Sequence, residues 1–289
     1  MGTKNGNGTE SGSRGTSEIP SAEYEFENLL NGILEQYGYD FRDYARVALG
    51  RRIHAYMKGE NLLQYRHLRD RLLADPDTMR KFLANLSVNA TSMFREPGLY
   101  EVFRRDILPM LRTFPFIRIW HAGCGTGQEV YSMAILMKEA GLYDRCRIYA
   151  TDIDDSALRT AKDGIFSLNA MRKYTVNYQA AGGSGAFSDY YTANSNRAIL
   201  RSSLKKNIIF ANHNLVSDGS FNEFHVILCR NVLSFFNETL QARVLRLFHQ
   251  SLAIFGYLGL GSKESLDLGG SRESYFEMDG RYRLYRKIA

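Results

Sequence analysis

The chain has no apolar run approaching the length of a membrane span, and its first residues carry no hydrophobic leader segment. Cysteine is scarce: Cys124, Cys146 and Cys229 are odd in number and far apart. That spacing excludes a zinc site and a disulfide framework, and it suits a reducing cytoplasm. No metal ligand set is expected, and no internal repeat is found. There is no Lys-Ser/Thr after a glycine loop, so a phosphate loop is excluded. The formal charge of +6 over 289 residues favours acidic partners only mildly. Stacking aromatics in a basic groove, the usual mark of an RNA reader, cannot be placed, and no nucleic acid is expected as a partner.

What is present centres on Ile117 to Glu129, a β-branched and aromatic strand followed by Gly123, Gly125 and Gly127. Val130, Met133, Ala134 and Met137 then recur at helical spacing. Strand, glycine loop and helix start together offer backbone N–H groups and the positive end of a helix dipole to a ligand. The dinucleotide fingerprint needs a glycine where this chain has Gln128. The tighter spacing suits a nucleoside without a pyrophosphate, such as S-adenosylmethionine. The plain alternative is a strand-to-helix turn.

Residues 1–20 are almost free of apolar side chains and read as a disordered tail. Residues 21–90 read as a small basic helical domain. Its first helix carries Phe26, Leu29, Leu30 and Ile33 and stops at Gly38; others run about Leu62–Leu73 and Met79–Leu86. Residues 91–289 read as an α/β domain. Pro97 opens a helix there, and Pro109 and Pro115 are expected to break the path to the central strand. Strands at Arg147–Thr151, Ile208–Phe210, Val226–Cys229 and Tyr257–Leu260 alternate with helices at Asp154–Lys162 and Thr239–Leu252. This rhythm predicts a doubly wound sheet with ligands at the strands' carboxyl ends. Arg281–Lys287 is expected as an antiparallel edge strand. About residues 171–206 the rhythm lapses, and a β insertion is expected around a hairpin at Gly182–Gly185.

Asp152, at a strand end, can accept hydrogen bonds from two ribose hydroxyls, or it can cap the next helix. Glu129 can hold an ammonium group or complement a dipole. Asn214 can read adenine's edge or sit in a turn. Arg95 can grip a carboxylate or cap a surface helix. The arginines from Arg42 to Arg52 form by default a solvated face.

Several linked motifs sharpen these readings. They are Tyr39-Asp40-Phe41-Arg42, Asn89-Ala90-Thr91-Ser92-Met93-Phe94-Arg95, Ala122 to Ser132, Ala150-Thr151-Asp152-Ile153-Asp154, His213-Asn214-Leu215, Phe221-Asn222-Glu223-Phe224, Leu228-Cys229-Arg230-Asn231-Val232 and Leu260 to Ser265. Over most of residues 25–289 the chain resembles the chemotaxis receptor glutamate methyltransferases, the CheR family. The resemblance implies a class I methyltransferase-like doubly wound sheet with an N-terminal helical domain and a small antiparallel β subdomain. It implies S-adenosyl-L-methionine as cofactor, with S-adenosyl-L-homocysteine as product. Asn89, Thr91, Arg95, Gly123, Glu129, Asp152, Asn214, Leu215, Asn231 and Val232 would surround it. Arg95 would also face the substrate carboxylate, and Arg46, Arg51, Arg52 and Phe235 would meet the substrate. The implied reaction is in-line methyl transfer to ionised glutamates on the cytoplasmic helical domain of a chemoreceptor or related signalling protein. The enzyme is expected to be cytoplasmic, monomeric and not inserted in a membrane. A regulatory adaptor of low turnover, or a methyltransferase for another substrate, remains the alternative. The departures are Phe235 where the family usually has Tyr, Val130 for a common proline, and Gly125 for a frequent Ser.

Overall fold

The computed structural model describes residues 21–86 and 91–289. The tail of residues 1–20 and the expected cofactor residue Asn89 lie outside the described residues.

Four helices open the chain: α1 (Ala22–Tyr37), α2 (Arg46–Gly59), α3 (Tyr65–Ala74) and α4 (Pro76–Leu86). Ser21 caps α1 through its side chain, and Gly38 ends it in a left-handed conformation at φ 74°. The helices share a core of their own, built on Phe26, Leu29, Ile33, Ile53, Leu68, Leu72 and Phe82.

A second helical path follows: α5 (Pro97–Val102), a π-helical stretch at Phe103–Ile107, and α6 (Leu108–Leu111). Pro109 does not break it, contrary to the expectation from sequence. The π stretch lies just before the proline, and wider turns there relieve its ring clash and missing N–H. Next come β1 (Ile117–Ala122), α7 (Gln128–Glu139), β2 (Cys146–Asp152), α8 (Asp155–Asp163), β3 (Ile165–Ser167), α9 (Leu168–Ala180), β4 (Tyr191–Asn194) and β5 (Arg197–Leu200). The chain closes with β6 (Ile208–Asn212), β7 (Phe224–Cys229), α10 (Glu238–Ser251), β8 (Leu252–Leu260), β9 (Tyr275–Asp279) and β10 (Leu284–Lys287).

The large sheet has the order β6-β2-β1-β7-β8-β10-β9. Its first five strands are parallel, and β10 and β9 run antiparallel. Side chains of β1 alternate between faces as the pleat demands. Ile117 and Ile119 enter the core beneath α7, while Trp120 and Ala122 enter the core beneath α10. Both faces are therefore covered, as a parallel sheet requires. The strand order turns around at β1, which places the carboxyl ends of β1, β2 and β7 around one crevice.

Two further expectations fail in detail. The C-terminal strand β10 is internal, and β9 is the edge. β9 buries only Tyr275 well, so it lacks the alternation that marks a strand. In the insertion, residues 168–180 form a helix, because Met171, Tyr174 and Tyr178 are buried at i, i+3 and i+7. Gly182–Gly185 merely follows that helix. The hairpin turns instead at Ser195-Asn196, inside a three-stranded sheet of order β3-β5-β4. Tyr178 and Phe187 pack on Phe94 of the main core, with ring centroids 5.2 and 6.3 Å away, not in a core of their own.

Candidate cofactor and substrate site

The loop after β1 doubles back on the end of β2. Gly123 N and Cys124 N both donate to Thr151 O, at 2.8 and 2.9 Å. Gly123, Gly125 and Gly127 all take positive φ, at 74°, 53° and 88°. At Gly123 the constraint is also spatial, since a Cβ would lie 2.5 Å from Val232 Cγ2.

Asp152 locks this loop. One carboxylate oxygen accepts from Gly125 N at 2.8 Å and the other from Asp154 N at 3.0 Å. Asp154, not Asp152, caps α8, accepting from Ser156 N at 2.8 Å. Each oxygen of Asp152 keeps acceptor capacity for a further donor. Burial pushes its carboxyl above the usual value, and the backbone donors only partly offset that.

Glu129, in the first turn of α7, is held at both oxygens. Oε2 accepts from Arg230 Nη1 at 2.7 Å, and Oε1 meets His121 Nδ1 at 3.2 Å. Burial alone would raise its pKa, but the Arg230 guanidinium and His121 outweigh it and hold the carboxyl at about 2. Arg230 reaches past Glu129 to Glu96 Oε2 at 2.5 Å.

One cavity gathers Thr91, Arg95, Gly123, Glu129, Asp152, Asn214, Leu215, Asn231, Val232 and Phe235. Every expected cofactor residue among the described ones lines it. Asn214 does serve a turn: its side-chain oxygen accepts from Val216 N at 3.0 Å, while the residue still borders the cavity. Asn231 takes φ 63° and donates its N–H to Glu264 Oε2 at 3.1 Å. The helical domain completes the wall with Phe41, Tyr44, Leu83 and Leu86.

The three arginines expected to meet the substrate are set differently from one another. Arg46 pairs with Glu23 and Glu27 and lies over the Phe26 ring. Arg52 stacks 3.8 Å over the Phe235 ring and donates to Leu86 O. Arg51 is exposed on α2. Sequence reasoning assigned no role to Arg230, Glu264 or His121. Arg230 carried a signal, being a charge directly after the wholly buried strand β7 at the sheet's ligand-binding end. Glu264 carried none, because its partners are backbone N–H groups of Gly261, Asn231 and Ser234.

The residues fit a nucleoside with a vicinal diol. A half-buried carboxylate with acceptor capacity borders the crevice, and the backbone at Gly123 has no room for a side chain. Sheet order, glycine loop and strand-end acid together define a class I S-adenosylmethionine-dependent methyltransferase. Residues 24–87 match the family model described as CheR methyltransferase, all-alpha domain, and residues 89–282 match CheR methyltransferase, SAM binding domain. The chain belongs to the CheR methyltransferase family, with S-adenosylmethionine as its cofactor.

It is 43% identical over 267 residues to the Pseudomonas putida methyltransferase named Cher3, covering 92% of this chain and 98% of that one. It is 28% identical to chemotaxis protein methyltransferase 1 of Pseudomonas aeruginosa, covering 75% of this chain and 81% of the relative. Among solved structures, the N-methyltransferase NodS of Bradyrhizobium japonicum aligns at a TM-score of 0.36 and 14% identity, over 66% of this chain and 88% of that one. No helix among the described residues is long and apolar enough to cross a membrane.

Proposed function

We propose that the protein methylates glutamate side chains on chemoreceptor-like signalling proteins. The observation that carries this reading is that Arg95, a cation suited to gripping a carboxylate, borders the same cavity as Asp152 and Glu129. Among the described cavity residues, the Glu129 carboxylate is taken by Arg230 and His121, so it is not offered to a substrate as a base. A glutamate carboxylate is already ionised at neutral pH and needs no base, whereas a hydroxyl or amine acceptor does.

The roles follow from position. Asp152 accepts from the ribose hydroxyls, and the Gly123 backbone with Val232 shapes the floor beneath. Asn214 and Leu215 border the base, with Thr91, Asn231 and, from the family motif, Asn89 beside the remainder. Glu129 takes the ammonium group. When bound, S-adenosylmethionine supplies a methyl group made electrophilic by its sulfonium. Arg95 orients the incoming carboxylate for in-line attack, gripping one oxygen and leaving the other free. Phe41, Tyr44, Leu83 and Leu86 keep water out, which helps a reaction whose charges cancel at the transition state. Arg51 and its neighbours on α2 offer a basic face to an acidic receptor helix, with Phe235 and Arg52 at its inner border.

The test is incubation with methyl-labelled cofactor and the cytoplasmic fragment of a chemoreceptor from the same source. Alkali-labile label on the fragment is expected, as a methyl ester requires. Label that resists alkali, or none at all, overturns the reading.

A further inference from the structure

Arg95 is preceded and followed by residues in backbone conformations that non-glycine side chains rarely take. Phe94 has φ 50° and Glu96 has φ 57°. Glu96 also precedes Pro97, where the helical regions are disfavoured further. Strain of this kind persists only where the surroundings over-determine it. On the Phe94 side the restraint is plain: the ring is fully buried, and Phe94 N donates to Ser132 Oγ at 2.8 Å.

On the Glu96 side the restraint is a carboxylate. Glu96 occupies the N-cap position of α5, yet its side chain makes no cap hydrogen bond. Instead, Oε2 accepts from Arg230 Nη2 at 2.5 Å, and Oε1 lies 4.0 Å from Arg95 Nε. Arg230 is itself fixed, with a side chain only 3% exposed and its other terminal nitrogen on Glu129. A single guanidinium thus ties the first turn of α7 to the turn that carries Arg95.

The geometry points to Glu96, held by Arg230, as the positioning residue that sets the aim of Arg95 during methyl transfer. This rests on the glutamate reading above, since it assumes that Arg95 orients the acceptor carboxylate. Glu96 touches neither the cofactor nor the acceptor. It acts by holding the strained turn shut and by flanking Arg95 with a negative charge. The consequence is a division of labour: Glu129 serves the cofactor, Glu96 serves the acceptor, and Arg230 keeps the two carboxylates in register.

Glu96→Gln in the full chain tests this, because Gln keeps the volume and removes the charge. The expected result is a kcat on the receptor fragment lowered about tenfold, the loss of one charge-assisted hydrogen bond. Cofactor Kd by calorimetry should stay within about twofold of wild type. In an Arg95→Ala background, Glu96→Gln should then add nothing, since its effect passes through Arg95. An unchanged kcat, or the same fold-loss in both backgrounds, overturns the assignment. Should wild-type protein transfer no methyl group to any carboxylate, the glutamate reading falls separately. Amide hydrogen exchange at Phe94–Leu99 then decides: faster exchange in Glu96→Gln upholds the clamp, and unchanged exchange removes it.

Discussion

Arg95 and Asp152 border one cavity but answer to different experiments. If Arg95 grips the acceptor as proposed, Arg95→Ala removes a charge-assisted contact on the order of 1.5–3 kcal/mol, so turnover should fall about ten- to a hundredfold. Calorimetry should find cofactor binding weakened far less than turnover, and equal turnover by the variant would count against its role. Asp152 predicts a pH dependence of affinity. Burial holds its carboxyl above the ordinary value in the free protein, and hydroxyl donors from a ribose favour the charged form. Binding therefore lowers the pKa and releases a proton, so affinity should weaken as pH falls into the acidic range where free Asp152 protonates. Titrations in buffers of different ionisation heat would show that release, and its absence would remove Asp152 from the ribose. Glu129 behaves in the opposite sense on stability. Its folded pKa of about 2 lies below the ordinary glutamate value of 4.5. The stabilisation it gives is full above about 4.5 and disappears as pH falls towards 2. Glu129→Gln should thus unfold more readily than wild type near neutrality, and that deficit should shrink through this window.

At the scale of elements, the glycine loop has a geometry that tolerates no side chain at its first position. Gly123→Ala puts a Cβ 2.5 Å from Val232 Cγ2 at φ 74°, so the loop must move away from the cavity floor. A cofactor Kd raised tenfold or more is expected, about 1.4 kcal/mol, with the fold retained. Circular dichroism beside calorimetry separates the two effects. This element was readable in the sequence because all its signals are local: strand, three glycines and helix follow one another within thirteen residues. The acid at the end of β2 was readable for the same reason, and the competing cap role went to Asp154, as its nearer position to α8 allows. What could not be read depends on distant partners. Tyr178 falls in the stretch expected as a β insertion, and its place on a helix shows only once Phe94 and Phe187 stand beside it. Arg230 shows its purpose only once Glu96 and Glu129, 134 and 101 residues away, stand against it.

At the scale of the whole molecule, the cavity is finished by a seam between the helical region and the α/β region. Ala45 N donates to Phe235 O at 2.7 Å, Asn237 N to Asp43 O at 2.8 Å, and Tyr44 meets Phe236 edge-on at 5.2 Å. The loop that makes these contacts, Asn231 to Asn237, also supplies Val232 and Phe235 to the cavity, and Glu264 staples its start to the end of β8. One short segment thus answers to both regions, so closing the seam and shaping the cofactor site are the same event. Tyr44→Ala should loosen the seam by about 2–4 kcal/mol, because it removes partly buried ring area as well as the aromatic pairs. Because Tyr44 and Phe236 both line the cavity, part of that loss should appear as weaker binding of S-adenosylhomocysteine, roughly two- to fivefold in Kd. In differential scanning calorimetry, saturating S-adenosylhomocysteine should raise the unfolding temperature of the α1–α4 core together with that of the sheet. If the helical core melts at the same temperature with and without ligand, the two regions share a boundary but not a binding free energy.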